Sequence, residues 1–324
     1  MTINRIARAR ARRALHDACR RHLYDPNVTS IDVGFPRRAG QIVRGRLAIR
    51  FHVAQKLYGV ALETAALAGE TEPLPAYVGE FETDVLEGRY RPGWWTVPGR
   101  WSPTVSNPRM RRQDPMRGGI SVSRDGAYGS GTLGSVVTDR ATGRPMILSN
   151  WHVFVADWAT RPGVAVYQPG LTDGGTFQDM VGRYARDAMP VNLDAAVATV
   201  NGARGLSDEQ LGLGAVQGIA AAEPGMRVVK SGRTTGITQG EVTGVDGAAK
   251  LRYRGLDRVI RQVITIDQVD GVGVVSDAGD SGSLWLDAST DACVALHFAG
   301  SNVPERALGM DIGRVLDALG VDLV

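Results

Sequence analysis

Cysteine is scarce in this chain of 324 residues, which contains only Cys19 and Cys293. Two cysteines so far apart, which we expect in different domains, make a disulfide framework improbable, and this scarcity is typical of a reducing compartment. The His-Glu-x-x-His and paired-cysteine patterns of metal sites are also missing from the sequence, so metal catalysis is not expected. We predict that the protein works without a cofactor.

Long apolar runs are missing as well. No stretch approaches the roughly 20 apolar residues that a membrane-spanning helix needs. The N-terminus is basic, but it is not followed by the apolar run of roughly 7–15 residues that marks a secretory signal. We therefore expect a soluble, cytoplasmic protein with no membrane partner.

A strong excess of one charge is missing too, since the formal net charge is only +3. Such a value does not argue for nucleic acid as a partner, and we do not expect one. The basic residues nevertheless crowd the first 21 positions, at Arg5, Arg8, Arg10, Arg12, Arg13, Arg20 and Arg21. This pattern favours the solvated face of a terminal helix, and a docking role toward nucleic acid or a protein partner is the alternative.

What the chain has in abundance is glycine, with 41 residues, set among short runs of β-branched side chains. This texture favours a mostly β fold with many turns. Residues 1–87 predict a small α+β module with helices at 3–23 and 57–67 and strands at 28–33, 41–53 and 81–86. Apolar and polar residues alternate through 41–53, which predicts a half-buried strand.

Residues 88–117 differ in composition from both flanks. Five prolines (Pro92, Pro98, Pro103, Pro108 and Pro115) argue against regular structure there. We predict a connector whose Trp94, Trp95 and Trp101 pack on a domain surface. From residue 118 to 324 we predict short strands at 131–138, 145–150, 195–200, 226–231, 240–245, 259–266, 283–286 and 293–298, followed by a helix at 312–319. Such a series predicts a sandwich or closed barrels.

The segment Gly279-Asp280-Ser281-Gly282 contains the candidate nucleophile, Ser281. Acyl transfer needs a hydroxyl beside backbone N–H groups that hold an oxyanion, and flanking glycines allow the sharp turn that exposes them. The expected donors are the N–H groups of Gly279 and Ser281. An ordinary Gly/Asp/Ser turn is the alternative for this segment taken alone.

A serine hydroxyl needs a base, and among five histidines His152 stands out because it follows a predicted buried strand. Asp194, which enters an apolar run, is costly to bury without a partner, and His152 would be that partner. Taken singly, His152 could be structural and Asp194 a solvent-facing strand-edge residue. Their order in the chain, with His152 before Asp194 and Asp194 before Ser281, is that of chymotrypsin-type triads.

These residues carry a resemblance to bacterial trypsin-like (chymotrypsin-fold) serine peptidases over residues 118–324. It rests on Gly131-Thr132-Leu133-Gly134, Ser149-Asn150-Trp151-His152-Val153, Leu193-Asp194-Ala195-Ala196, Lys230-Ser231-Gly232-Arg233-Thr234-Thr235-Gly236 and the Ser281 segment. The resemblance implies a serine endopeptidase with a double antiparallel β-barrel, preceded here by the N-terminal module, and acting on proteins or peptides. The chain resembles an intracellular, disulfide-free relative; a catalytically silent scaffold of the same fold is the alternative.

The resemblance also implies that His297, Phe298, Ala299 and Gly300 bind substrate along one strand. A histidine at the place of His297 receives the acidic side chain in glutamate-cleaving relatives, so a preference for Glu or Asp is one hypothesis. The alternative is a packed histidine that only shapes the pocket, or a preference for small or apolar side chains. Residues 118–122 match poorly the N-terminus that activates trypsin-like zymogens, so Asp280 is predicted to be a structural hydrogen-bond acceptor.

Overall fold

The computed structural model describes residues 5–93, 107–271 and 273–324. Its N-terminal part contains α1 (Arg5–His22) and α2 (Gly59–Leu67). The strands of this part are β1 (Val28–Gly34), β2 (Arg37–Arg38), β3 (Gln41–Ile42), β4 (Ala48–Val53), β5 (Tyr77–Val78), β6 (Phe81–Glu87) and β7 (Arg91–Pro92). Residues 41–53 therefore form two strands instead of the single predicted one.

Helix α1 packs on β1 and β4 through residues spaced three and four apart. Its buried face consists of Ala11, Ala14, Leu15 and Ala18. This spacing places them on one side of the helix, against Ile31 and Phe51 of the two strands. Small alanines allow the helix to approach the sheet closely, so the arginines between them face outward, as the sequence predicts.

A first barrel follows the connector. Its strands and short helix are β8 (Met116–Gly118), β9 (Ser121–Arg124), β10 (Gly131–Thr132), β11 (Ser135–Asp139), β12 (Pro145–Ser149), α3 (Trp151–Phe154), β13 (Ala165–Tyr167), β14 (Met180–Asp187), β15 (Ala196–Val200), β16 (Leu206–Gln210) and β17 (Gly214–Ala215). One sheet has the order β10-β9-β13-β14-β15-β12-β11 and ends on the C-terminal β24 (Val321–Leu323). Only Leu133 and Gly134 separate β10 from β11. A single stretch of chain therefore connects β10, at one end of the strand order, with β11, near the other end.

The second barrel is closed by hydrogen bonds. Its elements are β18 (Arg227–Gly232), β19 (Gly236–Tyr253), β20 (Leu256–Asp267), β21 (Leu284–Asp287), β22 (Cys293–Asn302), β23 (Glu305–Asp311) and the following α4 (Ile312–Leu319). The strand order is β18-β21-β22-β23-β20-β19, and β18 also pairs with β19, which closes the ring. Short 3-10 turns lie at Pro108–Met110, Leu171–Asp173, Phe177–Asp179, Met189–Val191 and Val269–Gly271. The prediction of a mostly β fold after a small N-terminal α+β part is confirmed.

The N-terminal strands extend the sheet of the second barrel. Strand β19 runs beyond the barrel, and β1 pairs with its far half in antiparallel register, Ile31 opposite Ala248 and Val33 opposite Val245. Strands β4 and β6 continue from β1. The N-terminal part is thus hydrogen-bonded to the same sheet that contains β22.

A buried ion pair lies where these strands join the barrel. Arg50 donates two hydrogen bonds of 2.6 Å to Asp32, and both side chains are fully buried. Thr265 of β20 donates a third bond of 2.6 Å to Asp32. Burial alone would raise the pKa of Asp32, but the charge of Arg50 and its hydrogen bonds outweigh burial and hold the pKa below its usual range. The half-buried character predicted for 48–53 is therefore wrong, because both faces of β4 are buried and its polar side chains are paired.

A second buried contact fixes the end of the N-terminal part. Arg306 of β23 donates to the hydroxyl of Tyr90 at 3.0 Å, to the carbonyl of Glu87 at 3.0 Å and to Asp267 at 2.5 Å. Tyr90 therefore enters the barrel wall just before β7. The connector predicted at 88–117 contains β7, a 3-10 turn and the start of the first barrel within its described residues. The predicted packing of Trp94, Trp95 and Trp101 concerns residues outside the described ranges.

Candidate active site

His152 and Asp194 lie side by side because their strands are neighbours. His152 belongs to α3, directly after β12, and Asp194 precedes β15, which pairs with β12 through Ser149 and Ala196. The ring nitrogen Nδ1 of His152 lies 2.6 Å from Asp194 Oδ2, and the backbone N–H of His152 donates to Oδ1 at 3.0 Å. Two contacts from one residue fix both the position and the orientation of the imidazole.

Tyr253 is a site residue that the sequence analysis missed. Its hydroxyl donates to Asp194 Oδ2 at 2.8 Å. Burial and the Asp194 charge raise the pKa of Tyr253 well above its usual value, so the hydroxyl keeps its proton. Tyr253 stands at the tip of the β19–β20 hairpin, whose strands extend beyond the predicted 240–245 and 259–266. The neighbouring Arg254 donates to Ala156 O at 3.0 Å, so this hairpin of the second barrel is attached to the first.

Both glycines around Ser281 occupy positions that other residues would not accept. Gly279 has φ +97° and Gly282 has φ +98°, the left-handed region where side chains are strained. A Cβ at Gly279 would overlap Thr234, and one at Gly282 would overlap the carbonyl of Thr132. The expected sharp turn around Ser281 is confirmed. Thr132 also clamps the turn, because its hydroxyl donates to Gly279 O at 2.8 Å.

Asp280 is a buried structural acceptor, as predicted, and Lys230 is its counter-ion. Lys230 Nζ lies 2.8 Å from Asp280 Oδ2, and neither side chain is exposed. The backbone N–H groups of Thr234 and Thr235 donate to Oδ1 at 2.9 and 3.0 Å. Burial opposes ionisation of Asp280, but Lys230 and Thr235 outweigh it and lower its pKa to about 2. The lysine belongs to a segment that the sequence analysis singled out, yet its pairing across 50 residues had no signal there.

The Ser281 turn meets the His152 segment across Gly131. A Cβ at Gly131 would lie 2.5 Å from the side chain of Val153 and 3.0 Å from the carbonyl of Ser281. Gly131 therefore lies between the Val153 side chain and the Ser281 backbone, and a larger residue at this position would push them apart. The hydroxyl of Ser281 donates to Phe298 O at 3.3 Å, so it points along β22.

Gly279, one of the two expected oxyanion donors, already has an acceptor. Its N–H donates to the carbonyl oxygen of Gly93 at 2.8 Å. Gly93 follows β7, which pairs with β22. A carbonyl from elsewhere in the chain thus occupies the position where the sequence predicts the substrate oxygen.

The four residues expected to bind substrate all lie on β22, which extends four residues beyond its predicted end. His297 is 2% exposed and packs edge-on against Trp285, with ring centroids 6.1 Å apart. Burial lowers the pKa of His297 to about 3, so its imidazole is neutral near neutral pH. Phe298 and Ala299 are fully buried and Gly300 is half-buried.

Within residues 5–93, 107–271 and 273–324, no group of three His, Cys, Asp or Glu side chains has the arrangement of a metal site. Helices long and apolar enough to cross a membrane are likewise not found in these ranges. Cys19 and Cys293 are both free thiols.

No protein-family model and no curated protein matches this chain. Solved structures of bacterial serine proteases do match it. The chymotrypsin of Cellulomonas bogoriensis is 20% identical, covering 64% of this chain and 97% of its own, with a TM-score of 0.46. The Nocardiopsis protease NAPase is 19% identical, with coverage of 64% and 97% and a TM-score of 0.48. A glutamic acid specific serine protease, described as using a histidine triad in substrate binding, is 20% identical, with coverage of 64% and 100% and a TM-score of 0.48. Such likeness concerns the fold alone: this chain is similar to chymotrypsin-like serine proteases in architecture.

Proposed function

We propose that the protein is a serine endopeptidase in which Ser281 is the nucleophile, His152 the general base and Asp194 the residue that orients His152. The observation that carries this proposal is the buried His152–Asp194 pair, 2.6 Å apart, with Gly131 packed between Val153, the residue after His152, and the carbonyl of Ser281. A carboxylate on Nδ1 sets the tautomer in which Nε2 can accept a proton. The chymotrypsin-like fold agrees with this assignment and does not by itself establish activity.

The mechanism follows from these assignments and needs no cofactor. The Ser281 oxygen attacks the peptide carbonyl while His152 takes its proton. The N–H groups of Gly279 and Ser281 stabilise the oxyanion. The leaving amine receives the proton from His152, and water then hydrolyses the acyl-enzyme by the same relay. Asp280, held by Lys230, keeps the oxyanion turn in place.

Labelling by a fluorophosphonate tests the proposal. We expect the probe to modify Ser281, and we expect Ser281→Ala to remove the label. Ser130→Ala is the matched control, because its hydroxyl lies at the surface and contacts Thr172. A folded wild-type protein that neither takes the label nor hydrolyses any peptide of a diverse library would favour the alternative, a catalytically silent scaffold or binding protein.

We also propose that four residues of β22 bind the substrate next to the scissile bond: His297, Phe298, Ala299 and Gly300. A neutral, buried His297 could donate a hydrogen bond to an acidic side chain but would bring no positive charge to it. A preference for small or apolar side chains before the scissile bond is therefore the alternative to a preference for Glu and Asp. Profiling a peptide library decides between them: cleavage after Glu and Asp no faster than after Ala or Leu would exclude the acidic preference.

We further propose that residues 1–87 regulate access or recruit a protein, that 88–117 connect them, and that 118–324 perform the chemistry. The hydrogen bonds of β1 to β19 and of Arg306 to Tyr90 support a regulatory role, because β19 belongs to the same sheet as β22 and Arg306 lies on β23, the strand next to β22. A cytoplasmic location and the lack of nucleic-acid binding stay predictions. The arginines of α1 are partly engaged, since Arg8 and Arg12 both contact Asp246.

A further inference from the structure

Strand β7 pairs with β22, the strand that we propose to bind the substrate. It is antiparallel to β22, with Pro92 opposite Ala299 and Arg91 opposite Gly300. The N–H of the next residue, Gly93, donates to Phe298 O at 3.4 Å. Three consecutive residues of the chain therefore pair with residues 298–300, in the way an extended peptide adds a strand to a sheet.

Gly93 itself lies directly at the nucleophile. A Cβ at this position would overlap the Ser281 hydroxyl. On its other side, the Gly93 carbonyl accepts the 2.8 Å hydrogen bond from the Gly279 N–H. A carbonyl with a serine hydroxyl beside it and an oxyanion donor on its oxygen has the surroundings of a scissile group. Ser281 is only 1% exposed in this arrangement.

The chain upstream of Gly93 is held in place. Tyr90 is 8% exposed, and its hydroxyl lies 3.0 Å from Arg306 Nη1 and 2.5 Å from His52 Nδ1. With Tyr90 fixed in the barrel wall, residues 91–93 cannot move far from the site. An intramolecular peptide held this way has a high effective concentration, on the order of mM or more.

We propose that the protein cleaves its own chain between Gly93 and Trp94, in cis. This rests on the proposed serine endopeptidase function. The Ser281 oxygen bonds to the Gly93 carbonyl carbon, and its proton passes to His152. The bond from that carbon to the Trp94 nitrogen breaks, and the nitrogen takes the proton. Water then hydrolyses the ester, which leaves a Gly93 carboxylate and restores Ser281.

The cleaved halves stay together. Residues 1–93 remain bound through the β1–β19 pairing and through contacts such as Arg37 to Asp267 at 2.7 Å. The new carboxylate at Gly93 stays next to Gly279 until the β7 segment leaves the groove. Glycine is also the residue that fits here without displacing Ser281, because any Cβ would overlap its hydroxyl.

The test compares freshly purified wild type with Ser281→Ala, Gly93→Val and the matched control Gly129→Val. A side chain at Gly93 would overlap Ser281, whereas Gly129 is exposed, has no left-handed φ and has open space around a Cβ. We expect intact-mass analysis and N-terminal sequencing to find chains ending at Gly93 and starting at Trp94 in wild type and Gly129→Val. The rate should be first order and independent of protein concentration. Ser281→Ala and Gly93→Val should remain uncut, with circular dichroism establishing that each is folded.

The outcomes separate the two proposals. If wild type stays intact while Ser281 of Gly93→Val reacts with a fluorophosphonate, the site is competent and self-cleavage at Gly93 is wrong. If no variant reacts or cleaves, the endopeptidase function itself fails. A rate that rises with protein concentration, or cutting of Ser281→Ala by added wild type, would overturn cleavage in cis.

Discussion

Two buried histidines of this protein invite comparison. His152 contacts Asp194 through Nδ1 at 2.6 Å, and His52 lies 3.3 Å from Asp32 through Nε2. The carboxylates differ in their other partners. Asp194 accepts from neutral donors, the hydroxyl of Tyr253 and the backbone of His152. Asp32 accepts two bonds from the charged Arg50.

The two sites differ in which positive group the negative charge of the aspartate stabilises. A guanidinium cancels the charge of Asp32, and burial lowers the pKa of His52, so this ring stays neutral. Neutral donors orient Asp194 without cancelling its charge, which can then stabilise an imidazolium. A histidine beside an aspartate is thus a catalytic candidate only when no cation has already neutralised the carboxylate.

The largest expected effect is at the histidines themselves. His152→Ala or Ser281→Ala should lower turnover by a factor on the order of 10⁶, by analogy with triad knockouts in a serine protease, with the fold retained. His52→Ala should instead lower the melting temperature and change turnover per folded molecule by less than about tenfold, because it contacts no reacting atom. Peptide hydrolysis and calorimetry measure both. Equal losses of turnover in His152→Ala and His52→Ala would contradict the different roles given to the two histidines.

The aspartates come next. Asp194→Asn should reduce kcat by about 10⁴ because the imidazole loses its fixed tautomer and its counter-charge. Asp32→Asn should leave Arg50 buried and unpaired, which costs about 3–5 kcal/mol of folding free energy. Urea unfolding together with kcat separates them. A stable Asp32→Asn protein would show that the charge of Arg50 is compensated in another way.

The Lys230–Asp280 pair extends the comparison to acid pH. With its folded pKa lowered to about 2 from an unfolded value of 3.8, Asp280 stabilises the fold above about pH 4. This contribution, about 2 kcal/mol, should be lost as pH falls from about 4 to 2, because the unfolded chain takes up the proton first. Lys230→Met should destabilise the protein near neutral pH and weaken the acid transition. An unchanged unfolding curve across this pH range in Lys230→Met would contradict the assignment.

The smallest effects are expected at the two tyrosines. Tyr253→Phe removes one hydrogen bond to Asp194 and should lower kcat by roughly tenfold with KM unchanged, at about 1.4 kcal/mol per factor of ten. Tyr90→Phe should leave the buried donor of Arg306 without its acceptor, at a cost of about 1–3 kcal/mol in stability. Separate measurement of kcat and KM, together with thermal melts, distinguishes a positioning role from a structural one. If Tyr253→Phe changed only KM, Tyr253 would not be a residue that orients Asp194.

Several elements could be predicted because their signals are local. Helix α4 was predicted at residues 312–319, where it is found, because its apolar residues follow helical spacing up to a terminal glycine. Strand β19 was predicted at 240–245 and spans Gly236–Tyr253. Its Asp246-Gly247 segment has the composition of a turn and forms a bulge, with Asp246 at φ +60°, while the residues on either side stay paired with β1 and β20. Strand β23 has no apolar alternation of its own and is defined by its neighbours.

By itself the sequence determined a mostly β fold and the candidate residues His152, Asp194 and Ser281, since glycine turns and short motifs are properties of neighbouring residues. Only the tertiary structure decided that Lys230 pairs with Asp280, that Tyr253 contacts Asp194 and that Gly93 lies at Ser281. These contacts join residues from 50 to 188 positions apart. They arise where separate strands meet in one sheet, and such meetings leave no pattern within any single segment.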